Sequence, residues 1–116
     1  MGGPSVAAQS PSFMSGVPEL LVLQLLARRE MYGYEIARLI RLLTREAISL
    51  GENVLYPVLH SLEARGLLRS RRRPVGGRTR VYYTITRSGR RRLTALTRQW
   101  QRISAGVGTA LTGSGS

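Results

Sequence analysis

The sequence predicts a mainly α-helical fold with a small two-stranded β-hairpin. Three observations lead to this fold class: apolar residues recur at helical spacing between residues 18 and 65, the period changes to strand-like alternation over residues 67–85, and helical spacing returns after residue 86. Residues 1–15 and 106–116 are rich in Gly and Ser without periodicity, so we expect flexible tails there. One small folded domain remains between the two tails.

The first helix is predicted to begin near Pro18, which suits a first helical turn because its missing N–H is not needed there. Residues 19–29 carry apolar side chains almost all round the helix, and such a helix is buried on more than one side. We therefore expect a single chain to leave part of it exposed. The second helix is predicted over residues 33–45, with an apolar stripe formed by Ile36, Leu39, Ile40 and Leu43.

The third helix is predicted over residues 52–65 and ends at Gly66, because glycine readily adopts the left-handed conformation that follows a helix. Pro57 would fall inside this helix unless the helix starts late, at residues 54–56, where proline is tolerated. We expect that late start, with Asn53 as the N-cap.

Two strands are predicted within residues 67–85, joined by the turn-forming sequence Pro-Val-Gly-Gly. Thr86 can cap a last helix that ends before Gly106. Three helices, a hairpin and a further helix follow one another in the order of a winged helix-turn-helix with an added helix. This order assigns residues 16–86 to the winged helix-turn-helix, with the hairpin as its wing, and residues 87–105 to the C-terminal helix.

The charge is distributed unevenly along the chain. All 18 basic residues are Arg and all 6 acidic residues are Glu, which gives a net charge of +12. Residues 1–63 hold 5 Arg and all 6 Glu, whereas residues 64–116 hold 13 Arg and no acidic residue. This imbalance indicates an anionic partner, with nucleic acid before an acidic membrane surface.

The composition excludes several classes of protein. Without Cys the chain has no disulfide, thiolate zinc site or Cys nucleophile. One His, His60, and no Asp make a catalytic triad or metal centre improbable, so we expect no enzyme, cofactor or metal. The apolar run at residues 20–27 is too short to cross a bilayer, and the preceding tail lacks the basic segment of a secretory signal. We therefore expect a cytoplasmic protein.

Three motifs resemble the PadR family of transcriptional regulators: MYGYEIARLI at residues 31–40, VLYPVLHSLEARGLL at 54–68, and GGRTRVYYTIT at 76–86 with SGRRRL at 88–93. The resemblance covers residues 18–104. It implies a winged-helix homodimer that binds palindromic operator DNA, usually as a repressor, and in many members releases DNA when a small aromatic molecule binds. The single helix after the wing resembles the shorter members that lack a separate effector domain.

The outer face of the third helix is predicted to enter the major groove, because it is nearly uncharged and carries groups that form hydrogen bonds. Asn bonds adenine bidentately, whereas Tyr, Ser and His more often bond phosphate. Tyr34, at the start of the second helix, is a further candidate for a phosphate contact. The alternative is an ordinary solvated helix face. The candidate residues on the third helix are Asn53, Tyr56, Pro57, His60 and Ser61.

The predicted wing is strongly basic. Arginines at a wing tip enter a narrow minor groove or bind phosphates, although strand alternation prevents all of them from pointing towards DNA. The alternative is charge that keeps an edge strand soluble, but such surfaces normally mix signs and no acidic residue lies nearby in the sequence. The candidate residues are Arg72, Arg73, Arg78 and Arg80.

The last helix carries an apolar seam at heptad spacing, which we expect to form a dimer contact with the first helix. The alternative is that the seam covers the core of its own chain. Trp100 resembles the position where some PadR relatives present an aromatic surface to planar ligands; the alternative is a large interface anchor. The predicted interface residues are Leu21, Leu25, Leu93, Leu96, Trp100 and Ile103, with Val107 extending the seam.

Together these features predict a homodimeric regulator of transcription, with no membrane association. Its expected partners are double-stranded operator DNA, a second copy of the chain and a small planar aromatic ligand at Trp100. Two alternatives remain open: general nucleic-acid or chromosome binding without a specific operator, and a protein–protein adaptor function.

Overall fold

The computed structural model describes residues 16–113, which form four helices and a three-stranded antiparallel sheet. The predicted tail at residues 1–15 lies outside the described residues, as do residues 114–116. The predicted fold class, mainly helical with a β-hairpin, is confirmed. In chain order the elements are α1 (Val17–Leu26), β1 (Met31–Tyr32), α2 (Gly33–Leu43), α3 (Glu52–Ala64), β2 (Leu68–Val75), β3 (Arg78–Ile85) and α4 (Arg87–Thr112).

Helix α1 lies at the centre of the core. Four of its side chains are at most 3% exposed: Val22, Leu23, Leu25 and Leu26. The cover comes from the same chain, because α2, α3, β3 and α4 all pack against α1. A single chain therefore buries this part of α1, whereas Val17, Leu20 and Leu21 remain partly accessible to solvent.

Helix α2 ends at Leu43, two residues before its predicted end. Leu43 is 58% exposed, whereas the rest of the predicted apolar stripe is buried or half-buried. The chain leaves the core here because Arg45 and Glu46 adopt positive φ angles of 53° and 68°. Thr44 closes the helix by donating a hydrogen bond from Oγ1 to the carbonyl oxygen of Ile40, at 2.7 Å.

Helix α3 begins at Glu52 and contains Pro57, so the predicted late start is wrong. The N-cap is Gly51, whose carbonyl oxygen accepts the first helical hydrogen bonds, and Asn53 lies within the first turn. The missing N–H of Pro57 deprives the carbonyl oxygen of Asn53 of its usual helical partner. Asn53 is exposed, so water can satisfy this oxygen and the helix tolerates the proline.

The end of α3 at Gly66 is confirmed by a φ angle of 75°. The N–H of Leu67 donates to the carbonyl oxygen of Leu62, and the N–H of Gly66 donates to that of Glu63, both at 2.9 Å. This is the Schellman arrangement, and its two apolar members, Leu62 and Leu67, are buried together in the core. The turn thus fixes the direction in which the chain leaves α3 and enters the wing.

Strands β2 and β3 form a hairpin with a two-residue turn at residues 76–77. Both turn residues are glycines with positive φ, 54° and 80°, as the favoured hairpin turn requires. Pro74 and Val75 lie in β2 and not in the turn. The third strand, β1, pairs with β3 through Met31 opposite Tyr83, and the sequence pattern does not predict it because two residues are too few to display alternation.

Helix α4 is tied at its start to the turn that ends α3. Thr86 Oγ1 accepts a hydrogen bond from the N–H of Gly89 at 3.0 Å and donates one to the carbonyl oxygen of Gly66 at 2.7 Å. Gly89 is buried, and a Cβ there would collide with the carbonyl oxygen of Leu67 and the side chain of Ile85. Glycine is therefore needed for this close approach of α4 to the start of the wing.

The expected end of α4 at Gly106 is wrong, because the helix continues to Thr112 and ends at Gly113 with a φ angle of 66°. An interior glycine costs about 1 kcal/mol relative to alanine, which is too little to end a helix on its own. The segment at residues 106–112, predicted as part of a flexible tail, is therefore helical.

Candidate nucleic-acid interface

The outer face of α3 is exposed and almost free of charge. Asn53, Pro57, His60 and Ser61 are all exposed on it, while Leu55, Leu59 and Leu62 are buried on the opposite side. Glu52, in the first turn, is an acidic residue at its edge. Four of the five residues predicted on this face therefore lie free for contact with a ligand.

The fifth residue, Tyr56, is half-buried and packs against the core. Its ring lies over Gly33 at the start of α2, so closely that a Cβ at Gly33 would collide with the hydroxyl. The centroid of the His60 ring lies 6.3 Å from that of Tyr56. Tyr56 therefore sets the position of α3 against α2 and does not stand free on the outer face.

The start of α2 presents an exposed tyrosine. Tyr34 is 67% exposed in the first turn, where unpaired backbone N–H groups and the helix dipole favour an anion. Glu35 accepts a hydrogen bond from the N–H of Tyr32 at 3.2 Å and pairs with Arg29 at 3.3 Å. Glu35 is thus a structural partner of an arginine at the start of α2.

The face of the sheet opposite the core carries a layer of stacked aromatic rings and guanidinium groups, which we call the wing layer. The rings of Tyr32 and Tyr82 meet edge to face, with centroids 5.5 Å apart. The guanidinium group of Arg73 lies 4.0 Å from the Tyr82 centroid, and that of Arg80 lies 4.1 Å from the Tyr32 centroid. The hydrogen bonds from Arg80 and Arg73 lower the pKa of the Tyr82 hydroxyl.

Glu30 adds a carboxylate to the wing layer. Arg71 grips it with two hydrogen bonds, Nε to Oε2 at 2.6 Å and Nη2 to Oε1 at 2.9 Å. The Nη2 of Arg73 lies 3.9 Å from Oε1 of the same carboxylate. The wing therefore has an acidic neighbour in space, although no acidic residue follows Glu63 in the sequence.

The arginines predicted at the wing tip fall into two groups. Arg73 and Arg80 are half-buried in the wing layer, whereas Arg72 and Arg78 are exposed. Within residues 16–113 neither Arg72 nor Arg78 forms an ion pair. The two free guanidinium groups near the turn are thus available to bind an anion, and the two in the layer are already engaged.

A second carboxylate holds arginines at the start of α4. Glu19 of α1 accepts a hydrogen bond from Arg92 at 2.9 Å and another from Arg65 at 3.2 Å. Burial raises the pKa of Glu19, but the hydrogen bonds from Arg92 and Arg65 outweigh it and bring this pKa below its usual value of 4.5. The positive charge that crowds the start of α4 is therefore offset in part by a glutamate of α1.

The apolar seam of α4 divides into two parts. Leu93 and Leu96 pack against the core of the same chain, whereas Trp100, Ile103 and Val107 are about half exposed and Leu111 is 82% exposed. Leu25 of the predicted interface is only 3% exposed within its own chain, which leaves almost no surface for a second chain to contact. Leu21 is half-buried against the same core.

A groove of about 140 Å³ lies between the start of α1 and the middle of α4. Its apolar lining includes Leu20, Leu96, Trp100 and Ile103. Among residues 16–113 no helix is long and apolar enough to cross a membrane, and no group of His, Cys, Asp and Glu side chains is suited to hold a metal ion.

The sequence pattern of the Transcriptional regulator PadR-like family matches residues 22–95, which include α2, α3 and the wing. The chain belongs to the PadR family. Members of this family are regulators of transcription and not enzymes.

Three relatives illustrate the similarity. The protein named Transcriptional regulator Rv3488, from Mycobacterium tuberculosis, is 40% identical over 82 residues, or 71% of this chain and 74% of the relative. A transcriptional regulator from Clostridium thermocellum is 28% identical, with a TM-score of 0.78 over 84% of this chain and 96% of the other. PadR of Bacillus subtilis, solved in complex with operator DNA, is 28% identical, with a TM-score of 0.64 over 68% of this chain and 45% of the other.

Sequence reasoning missed the parts of this interface that depend on β1. Glu30 and Tyr32 lie beside the wing only because β1 pairs with β3, and a two-residue strand leaves no periodic signal. The sequence did hold one indication of this contact. The alternation of β3 places Arg80 and Tyr82 on the same face of the strand, and an aromatic side chain on that face indicates that another part of the chain packs against it. A helical projection also does not reveal that a glycine of α2 leaves room for the ring of Tyr56, which is why this side chain is half-buried.

We predict that Glu19→Gln lowers the stability of the fold at pH 7 by about 1 kcal/mol, because both paired guanidinium groups remain more than 40% exposed and are screened by solvent. The folded-state pKa of Glu19 lies below the unfolded value, so its stabilisation is complete above pH 4.5 and is lost as the pH falls through the folded value. Urea denaturation at pH 7 and at about pH 3 measures the effect.

The difference between wild type and Glu19→Gln should therefore narrow in acid. Glu46→Gln is the control, since the pair between Glu46 and Arg41 is exposed on both sides and lies 3.6 Å apart. A Glu19→Gln deficit that is the same at both pH values would contradict the assignment of the charge pair.

Proposed function

We propose that this PadR-family chain regulates transcription by binding operator DNA as a homodimer, and that it acts as a repressor in the cytoplasm. The observation that carries the proposal is the position of an exposed, uncharged helix face next to a wing whose tip has two unpaired arginines. The operator complex of Bacillus subtilis PadR, which shares this fold, supports the same mode of binding.

In the proposed complex, α3 enters the major groove and reads bases through its outer face. Asn53 is the principal base-reading residue, because its side-chain amide can bond N6 and N7 of adenine together. His60 and Ser61 contact the groove or its rim, and Tyr34 bonds a phosphate at the start of α2. Tyr56 fixes the position of α3 by packing against Gly33 of α2, and so keeps the outer face of α3 oriented for these contacts.

The wing supplies affinity that does not depend on sequence. Arg72 and Arg78 bind phosphates or enter the adjacent minor groove, where a narrow groove concentrates negative potential. Two such units related by a two-fold axis require a palindromic operator whose half-sites lie about 10 bp apart. Occupation of this site would block a promoter sterically.

We predict that binding to a random-sequence duplex weakens steeply with salt. If each protomer neutralises three to four phosphates, the slope of log K against log salt is about −5 to −7 for the dimer. The double variant Arg72→Gln, Arg78→Gln should make this slope shallower by about 3 to 4, because it removes four phosphate contacts per dimer. Fluorescence anisotropy at several salt concentrations measures both values.

The matched control removes the same charge from α4 through Arg98→Gln and Arg102→Gln, both exposed side chains. These substitutions should change the slope far less than the wing variant does. A flat salt response of the wild type would contradict DNA binding, and equal effects of the two double variants would contradict the role of the wing tip.

The proposed dimer forms through the exposed part of the α4 seam. Large apolar side chains that share one face of a helix and remain exposed mark an interaction surface. The second copy is the occupant that the heptad spacing of Trp100, Ile103 and Val107 favours, since two such helices can pack seam to seam. Leu111 extends the same face, and Leu93 and Leu96 anchor α4 to its own chain.

We predict that Ile103→Glu yields a monomer in sedimentation experiments and weakens DNA binding, because a charge in the seam must be desolvated when the dimer forms. Gln101→Glu is the matched control, since it introduces the same charge at an exposed position that lies outside the seam, two residues before Ile103. A dimeric Ile103→Glu, or a monomeric Gln101→Glu, would be inconsistent with a dimer formed through the seam.

We further propose that the groove between α1 and α4 binds a small planar aromatic effector against Trp100. A cavity of about 140 Å³ is close to the roughly 150 Å³ that accommodates one benzene ring in an apolar protein site. Titration with single-ring and fused-ring aromatic compounds should quench Trp100 fluorescence in a saturable manner. Non-saturable quenching of equal strength in the urea-unfolded chain would exclude a site.

A further inference from the structure

The wing layer contains an ion pair that competes with the proposed DNA ligand. Arg71 uses its Nε and Nη2 for the carboxylate of Glu30, and these are groups with which an arginine grips a phosphate bidentately. Arg73 approaches the same carboxylate at 3.9 Å while it stacks on Tyr82. A phosphate can form the same bidentate contact with Arg71 only by displacing Glu30.

The position of Glu30 makes displacement costly. Its side chain is only 21% exposed, compared with 60% for Arg71, and it immediately precedes β1, which is fixed by pairing with β3. Arg29 also donates a hydrogen bond to the backbone carbonyl oxygen of Glu30 at 3.2 Å. The hydrogen bond from Arg71 lowers the pKa of Glu30, so the carboxylate remains ionised at neutral pH.

We propose that Glu30 acts as an internal counter-ion that withholds Arg71 and Arg73 from DNA phosphates and so limits the affinity of the wing for DNA of any sequence. The inference rests on the proposed DNA binding. Sequence-independent affinity lowers the discrimination between an operator and the excess of competing sites, so Glu30 is a specificity-determining residue. The wing-tip residues Arg72 and Arg78, which have no such partner within residues 16–113, retain their full charge for binding.

The first test compares Glu30→Gln with Glu46→Gln on a random-sequence duplex. Both variants remove one negative charge, but Glu46 pairs with Arg41, away from the wing. Glu30→Gln should bind about three- to tenfold more tightly than Glu46→Gln and steepen the salt slope by about 2 to 4 per dimer, because up to two further phosphates per protomer are neutralised. Equal behaviour of the two variants, or weaker binding by Glu30→Gln, would overturn the proposal.

The second test does not require a change at Glu30. Arg71→Gln and Arg72→Gln alter neighbouring residues of β2 in the same way, but only Arg71 is held by Glu30. Arg72→Gln should make the salt slope shallower by about 2 per dimer, whereas Arg71→Gln should leave it nearly unchanged. An equal reduction by both would place Arg71 on a phosphate and overturn the proposal.

The outcomes also separate this inference from the proposed function. If the wild type does not bind DNA with a steep salt dependence, the proposed function fails, and no DNA phosphate competes with Glu30 for Arg71 and Arg73. If the wild type binds and Arg72→Gln reduces the slope, but Glu30→Gln behaves like Glu46→Gln, only the role of Glu30 fails.

Discussion

The burial of α1 inside its own chain is the packing on which the remaining structure depends. Full burial of a side chain such as Leu23 contributes about 1.5–3 kcal/mol, and four such side chains of α1 are almost inaccessible to solvent. Helices α3 and α4 both pack against this helix and are joined to each other through Thr86 and Gly66. The helix that carries the apolar seam is thereby held at a fixed angle to the helix that carries the uncharged outer face. We expect a shift of the seam to move α3 with it.

Glutamates within residues 1–63 form ion pairs with arginines within residues 64–116. Glu19 binds Arg65 and Arg92, and Glu30 binds Arg71. These contacts cross large distances in the sequence, so the stretch that is wholly basic along the chain is partly neutralised in space. The positive potential is then strongest where arginines lack a carboxylate, which includes the wing tip.

Regular elements were predictable from the sequence because their signals are local. The Schellman end of α3 follows from Gly66, and the hairpin follows from alternation around two glycines. The start of α3 was not predictable. Pro57 leaves the carbonyl oxygen of Asn53 without a helical hydrogen bond, and the helix tolerates this only because that residue is exposed to water. Four of the five candidate residues on the outer face of α3 are exposed, whereas Tyr56 is half-buried because its ring packs against Gly33 of another helix. Glu30 could not be placed before β1 was known to pair with β3.

The division of labour between α3, which reads bases, and the wing, which grips phosphates, is tested most directly by selection of bound duplexes from random DNA. The wild type should enrich an inverted repeat with half-site centres about 10 bp apart. Asn53→Ala should enrich a repeat that has lost preference at one position of each half-site, while Arg72→Gln, Arg78→Gln should enrich the wild-type repeat at lower yield. Two results would contradict these separate roles of α3 and the wing. One is that the wild type enriches no common sequence; the other is that the enriched repeat changes with the wing variant and not with Asn53→Ala.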